Sequence, residues 1–231
     1  MKKHIILVAL AATIALLSVT LPARSMEPTQ PHLGNAMWIE PSNVNVGGQP
    51  LGYKFNLTLW INFTAIANGN EIGAWQFVIA YEKAYINATR VGYTNGTISQ
   101  WFKDAGVGTT MPVTPDRGSL NATHNYVLHG ETWIAGDKAA EGTYGSLSWI
   151  EFNITAIPAE ISTSTFSFIT TGVKRCKLMN EVGTEVQSEF TFYTGTFIIP
   201  EFSWLSLLLG AAILTSMAVA LSKKRILLKK R

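Results

Sequence analysis

The sequence predicts an all-β fold, a two-sheet sandwich of jelly-roll type, held between an N-terminal signal peptide and one C-terminal transmembrane helix. Three observations lead there. Strand-length runs alternate large apolar side chains with small or polar ones, the period-2 pattern of a sheet with one face on a core. No stretch between the two ends sustains the 3.6-residue period of an amphipathic helix. Eight or nine such runs are punctuated by turn-forming clusters such as Asn68-Gly69-Asn70 and Thr114-Pro115-Asp116-Arg117-Gly118. Many short strands in one domain pack as two sheets.

The first element is a targeting segment. Residues 1–25 have a basic start (Lys2, Lys3), an apolar run from Ile5 to Val19 and a small-residue end, Ala23-Arg24-Ser25. That is the three-part form of a secretory signal peptide, cleaved before Met26. An uncleaved N-terminal helix is the alternative, although fifteen residues are short for a span. Residues 26–37 read as a linker.

At the far end, Phe202 to Leu221 is twenty residues without a charge, long enough to cross one hydrocarbon core of roughly 30 Å. Lys223, Lys224, Arg225, Lys229, Lys230 and Arg231 follow at once. Basic residues beside a span stay cytoplasmic, which places the preceding domain outside, at the cell surface. The expected order is therefore signal peptide 1–25, linker 26–37, sandwich domain 38–199, membrane segment 200–222 and basic tail 223–231.

This division changes the meaning of the charge. The chain carries 18 Lys and Arg against 15 Asp and Glu. Nine of the basic residues sit in the two ends, and every acidic residue lies between Met26 and Phe202. The exported part has a net charge of −6, nine basic against fifteen acidic. It leaves no basic patch to follow a phosphate backbone, so a nucleic-acid partner is excluded. Cys176 is the single cysteine, so the domain holds no internal disulfide and must stand on its core.

The strands follow in order. In Tyr53 to Phe63 every odd position is apolar, while Lys54, Asn56, Thr58 and Asn62 share the other face. In Gly73-Ala74-Trp75-Gln76-Phe77-Val78-Ile79-Ala80-Tyr81 the large residues Trp75, Phe77, Ile79 and Tyr81 face a core. Gln76, Val78 and Ala80 form a small, uncharged second face. Ile86 to Tyr93 and Tyr126 to Ile134 are further strands; the second has no fixed phase, but His129 and Glu131 fall on one side of it. Ile150 to Thr155 alternates with Glu151 and Asn153 outward, and Thr165–Thr171, Val173–Met179 and Phe190–Ile199 complete the set.

Six Asn-x-Thr sequons lie in the same region, at Asn56, Asn62, Asn87, Asn95, Asn121 and Asn153. Thirteen asparagines at this Ser and Thr content would generate roughly two by chance. The excess makes the six candidate glycosylation sites of an exported domain, with a composition rich in Asn and Thr as the alternative source.

Four segments carry a family resemblance. Val44-Asn45-Val46-Gly47 with the strand from Tyr53 resembles the opening of a cohesin domain, and Gly73 to Tyr81 with Ile86-Asn87-Ala88-Thr89-Arg90-Val91 resembles that family's most recognisable stretch. Gly145-Ser146-Leu147-Ser148-Trp149-Ile150-Glu151-Phe152 is similar to its glycine-led middle strand, and Gly195-Thr196-Phe197-Ile198-Ile199 to its closing strand. Glu82-Lys83 departs from the usual Asp followed by Pro or a polar residue, and 100–125 matches poorly. The resemblance implies a sandwich that docks a partner protein, such as one bearing a dockerin-like segment, on the outer face of one sheet, in a setting of polysaccharide degradation. Separately, Ile199-Pro200-Glu201-Phe202 is similar to the PEF-type sorting signal of archaeal surface proteins, which implies processing of the tail and a lipid anchor in its place.

Catalytic patterns are missing. The histidines His4, His32, His124 and His129 form no HExxH, and there is no GxSxG, P-loop or EF-hand loop. Asp137 and Glu141 could lend carboxylates to Ca²⁺, but an acidic surface loop explains them as well, and no metal or cofactor is assigned. The expectation is a non-enzymatic, surface-anchored docking module. Its partner-binding face is expected to comprise Gln76, Val78, Ala80, His129 and Glu131, unless a loop such as 100–125 folds over that strand and buries both faces. A carbohydrate-binding module is the alternative, because Trp60 and Trp149 fall on the outward phase of their strands and sugars stack on exposed rings; a glycosylated structural surface protein is a further one.

Overall fold

The computed structural model describes residues 32–47, 49–67, 69–158 and 162–199. The signal peptide, the first part of the expected linker, the sorting motif, the apolar run from Phe202 and the basic tail lie outside the described residues. Among the described residues no helix is long and apolar enough to cross a membrane.

Among the described residues thirteen strands form two sheets. The first holds β12 (Thr191–Tyr193), β1 (Ala36–Glu40), β3 (Lys54–Phe63), β9 (Thr143–Ile154) and β5 (Ile86–Tyr93), in that spatial order. The second runs β2 (Asn43–Asn45), β13 (Gly195–Ile199), β10 (Ser162–Phe168), β4 (Glu71–Glu82), β7 (His124–Ala135) and β6 (Thr109–Ser119). Two short strands, β8 (Ala139–Ala140) and β11 (Lys177–Asn180), extend the pairing of β4 at its N-terminal half. Most pairs are antiparallel; β1 with β12 and β2 with β13 are parallel and bring the two ends of the domain together.

The alternation read from sequence decides which side of each strand is buried. Phe55, Leu57, Leu59, Ile61 and Phe63 of β3 face inward, as do Trp75, Phe77, Ile79 and Tyr81 of β4. At one end Phe55 stacks on Phe152 and on Phe197, with ring centroids 5.6 and 5.1 Å apart, and Phe166 closes the group 5.1 Å from Phe152. Burying one such side chain contributes about 1.5–3 kcal/mol, so this aromatic stack and its aliphatic neighbours hold the sheets together without a cross-link.

The other end is filled by a helix that the sequence did not announce. Helix α1 (Gln100–Asp104) places Trp101 and Phe102 between the sheets, with Ser99 as N-cap, its Oγ accepting from Phe102 N. Gly145 makes the fit possible, because a Cβ there would stand 2.7 Å from Trp101 Cα. Residues 100–125 are therefore not a loop over β4. They supply this plug and then β6, which pairs along β7 as the edge of the second sheet. Two further expectations shift. The first strand starts at Ala36, inside the expected linker. The run 173–179 is strand only from Lys177, and 170–175 form a connection between β10 and β11.

Candidate functional site

Pairing between β4 and β7 sets the phase that the sequence left open. Trp75 stands opposite Glu131 and Phe77 opposite His129, so both polar residues share the inward face. They are 0% and 2% exposed. The expectation that His129 and Glu131 belong to an outer docking face is therefore corrected. Val127, His129 and Glu131 alternate inward, and Tyr126, Leu128, Gly130 and Thr132 alternate outward.

Inside, Glu131 is held by four donors. Its Oε2 accepts from Ser99 Oγ at 2.7 Å, Ser99 N at 3.1 Å and Trp75 Nε1 at 3.3 Å, and its Oε1 accepts from Thr110 Oγ1 at 2.8 Å. A buried carboxylate is tolerated only where hydrogen bonds replace its water. This one ties the cap of α1, the start of β6 and the core of β4 to a single point. His129 lies 4.3 Å from the Tyr93 ring and edge-on to Trp75 and Phe77. Ser148 Oγ donates to Gly92 O and sits 3.0 Å from His129 Nδ1, linking β7 to the opposite sheet. Burial lowers the imidazole pKa to about 4, so the ring is neutral at physiological pH. Tyr93 donates to Gly130 O at 2.5 Å, and burial, with Glu131 nearby, pushes its phenol upward. These groups build the interior and are closed to substrate.

The outer face of the second sheet can be laid out row by row across β11, β4, β7 and β6. One row reads Met179, Ala74, Thr132, Met111 and the next Lys177, Gln76, Gly130, Val113. These rows are open: Met111 is 54% exposed, and Ala74, Gln76, Thr132 and Val113 are half-buried. Gly130 has no side chain because a Cβ would meet Trp75 O at 2.6 Å, and its absence flattens the centre of the patch. Ile134, an extra residue in a bulge of β7, adds a 52% exposed apolar side chain at the margin.

The next two rows are covered. Residues 170–175 leave the sheet at Ile169, whose N donates to Val78 O, and rejoin it at Cys176. Val78 N donates to Cys176 Sγ at 3.3 Å, so the sulfur takes the place of a strand carbonyl. Burial raises the Cys176 thiol to about 12, which keeps it protonated and inert. From this strap Lys174 reaches across the face, 2.9 Å from Asp116 Oδ2 of β6, 4.1 Å above the Tyr126 ring of β7 and hydrogen-bonded to the Tyr126 hydroxyl. Tyr126 in turn donates to Asp116 Oδ2 at 2.7 Å. The Lys174 ammonium, with Tyr126, holds the Asp116 carboxyl below the usual range.

Val78 is consequently 0% exposed and Ala80 8%. Their assignment to an open face is corrected as well: the strap covers them, and of the five expected residues only Gln76 keeps access to solvent. Gln76 Nε2 donates to Arg175 O at 2.8 Å, which ties it to the foot of the strap. Sequence reasoning missed Ala74, Thr132, Met111 and Val113. Register alone brings them together, and Met111 and Val113 lie in a segment read as a loop.

The first sheet presents a different surface. Trp60 stacks on Trp38 with centroids 6.2 Å apart, and Tyr193 lies in the same row. Trp149 packs on Gly92, where a Cβ would meet the ring at 3.0 Å, and carries the Arg90 guanidinium 5.7 Å from its centroid. Its indole N–H donates to Tyr93 O. These contacts hold Trp149 against its own sheet. Asn56, Asn87 and Asn121 are exposed, whereas Asn62, Asn95 and Asn153 are half-buried. Among the described residues no group of three His, Cys, Asp or Glu side chains could hold a metal ion.

No protein-family model matches the chain, and no curated protein does. Cohesin modules are among the solved structures it resembles. The sixth cohesin of Acetivibrio cellulolyticus scaffoldin B, in complex with a dockerin, is 16% identical with a TM-score of 0.44, covering 71% of this chain and 97% of its own. A cohesin–dockerin complex from Clostridium thermocellum is 11% identical with a TM-score of 0.45, covering 77% and 100%. A non-cellulosomal cohesin from the hyperthermophilic archaeon Archaeoglobus fulgidus is 11% identical with a TM-score of 0.43, covering 74% and 94%.

Proposed function

We propose that this chain is a non-enzymatic docking module of cohesin type, with jelly-roll connectivity, which holds a protein partner at the cell surface. The four sequence segments that resemble a cohesin fall on β2 and β3, β4 and β5, β9, and β13, and so span both sheets. A partner bearing a dockerin-like segment, in a setting of polysaccharide degradation, is what that resemblance implies. The signal peptide and the span from Phe202 to Leu221 supply the address and the anchor in this reading.

The observation that carries the reading is the open part of the outer face of the second sheet. Ala74, Gln76, Thr132, Val113 and Met111 form a flat, uncharged patch across three strands, bounded by the Lys174 strap on one side. Small uncharged groups shed water at little cost, which suits the centre of an interface, and Arg175, Lys177 and Glu185 give it a charged rim.

The test is capture. The immobilised domain is exposed to a surface-protein extract, beside a variant with Thr132→Arg. Retention of one defined partner by the parent, and its loss by the folded variant, supports docking on this face. Equal capture by both excludes the face, and retention of polysaccharide in place of protein excludes the docking reading.

A further inference from the structure

The sequons are distributed unevenly over the fold. Four of the six lie on strands, and the three strands that carry them belong to one sheet: Asn56 and Asn62 on β3, Asn87 on β5 and Asn153 on β9. Their inward neighbours Phe55, Leu57, Ile61, Phe63, Ile86, Ala88, Phe152 and Ile154 are core, so alternation turns all four asparagines to the outer face of that sheet. The strands of the other sheet carry none.

The four are not equivalent. Asn56 and Asn87 are exposed. Asn56 stands opposite Glu151 and Asn87 opposite Asn153, so the two flank β9 at one end of the sheet, two strand spacings across and two residues along, roughly 12 Å apart. Asn153 lies between them, with its amide oxygen shut off from solvent. Asn62, at the other end of β3, donates its Nδ2 to His32 O at 2.7 Å and is thereby tied to the segment that precedes β1.

We propose that the outer face of the five-stranded sheet is a glycan-bearing face, with Asn56 and Asn87 as its acceptors, and that the opposite sheet is left bare for the partner. The inference rests on the export reading above. The donor is an oligosaccharide on a polyprenyl phosphate carrier. Asn Nδ2 attacks the anomeric carbon, the C1–N bond forms, the C1–O bond to the carrier phosphate breaks with its electron pair, and the amide proton passes to the base of the transferring enzyme.

The experiment combines two measurements on the protein isolated from its own cells. Intact-glycopeptide mass spectrometry should find sugar on the peptides holding Asn56 and Asn87. Protease treatment of intact cells should digest the domain. A domain that is digested but unmodified at both positions overturns the glycan face alone. So does sugar carried by Asn62 or Asn153 in their place, or by Asn121 in the turn between β6 and β7 of the opposite sheet. A domain protected from protease overturns the export reading and this inference with it. A double variant, Asn56→Gln with Asn87→Gln, should lose the mass of two glycans and keep full partner capture; loss of capture overturns the one-sided arrangement.

Discussion

Ser99 and Glu131 meet inside the sandwich, the Ser99 hydroxyl donating to the carboxylate at 2.7 Å while it also accepts from Phe102 N. One serine thus caps the helix that plugs the core and fastens it to the sheet behind the open patch. Removing a cap costs about 1 kcal/mol, and a hydrogen bond to a charged group about 1.5–3. Glu131→Leu would leave Ser99 N, Trp75 Nε1 and two hydroxyls without their acceptor and should cost more than about 3 kcal/mol. Urea unfolding checks this; a variant within about 0.5 kcal/mol of the parent would show that the carboxylate does not organise this end of the domain.

His129 makes the fold sensitive to acid. Its folded pKa of about 4 lies below the ordinary value of 6.5, so the unfolded chain takes up a proton that the native ring refuses. Stability from this residue is complete above pH 6.5 and is lost as pH falls toward 4. The shift corresponds to about 3 kcal/mol at most. Unfolding free energies at pH 7 and pH 4.5 should differ by less in a His129→Leu variant than in the parent. An equal difference would mean that the acid response comes from elsewhere.

Cys176 offers a simple probe of the strap. Its thiol is buried beside Val78, with its pKa pushed up to about 12 by burial. A thiol reagent at pH 8 should find no reactive cysteine in the native domain and one in guanidinium chloride. Rapid native labelling would mean that residues 170–175 open readily and that the face over Val78 and Ala80 is not permanently closed.

The strand phases predict a clear ranking of substitutions. Phe55→Ala and Phe77→Ala remove buried rings and should cost about 3–5 kcal/mol. Val78→Asp should also unfold the domain, because that side chain is covered on the outer face as well. Asn56→Gln should fall within about 0.5 kcal/mol. Thermal melting of the four variants orders them, and a costly Asn56→Gln with a mild Phe55→Ala would shift β3 by one residue.

Most of the sandwich was legible because its strands are two-faced. In β3 and in the second half of β9 the polar and apolar positions separate cleanly, and both phases agree with the observed burial. The docking face was less legible for two reasons. In β7, His129 and Glu131 are polar residues in a core position, satisfied by Ser99, Thr110 and Ser148, partners that are far away in sequence. In β4, both faces near Val78 are buried, so a bland second face read as open when it is closed by Lys174 and its strap. Helix α1 and strand β6 have too few apolar positions in register to betray their period; tertiary contacts to Gly145 and to β7 define them.

The most direct test of the central claim is the effect of Thr132→Arg, with Ala74→Arg beside it, on binding of the captured partner. Both side chains are half-buried on the outer face and touch none of the groups that hold the core. Titration calorimetry should show at least a hundredfold loss of affinity, about 2.7 kcal/mol, with the melting temperature unchanged. Unchanged affinity in both folded variants would contradict the assignment of docking to this face.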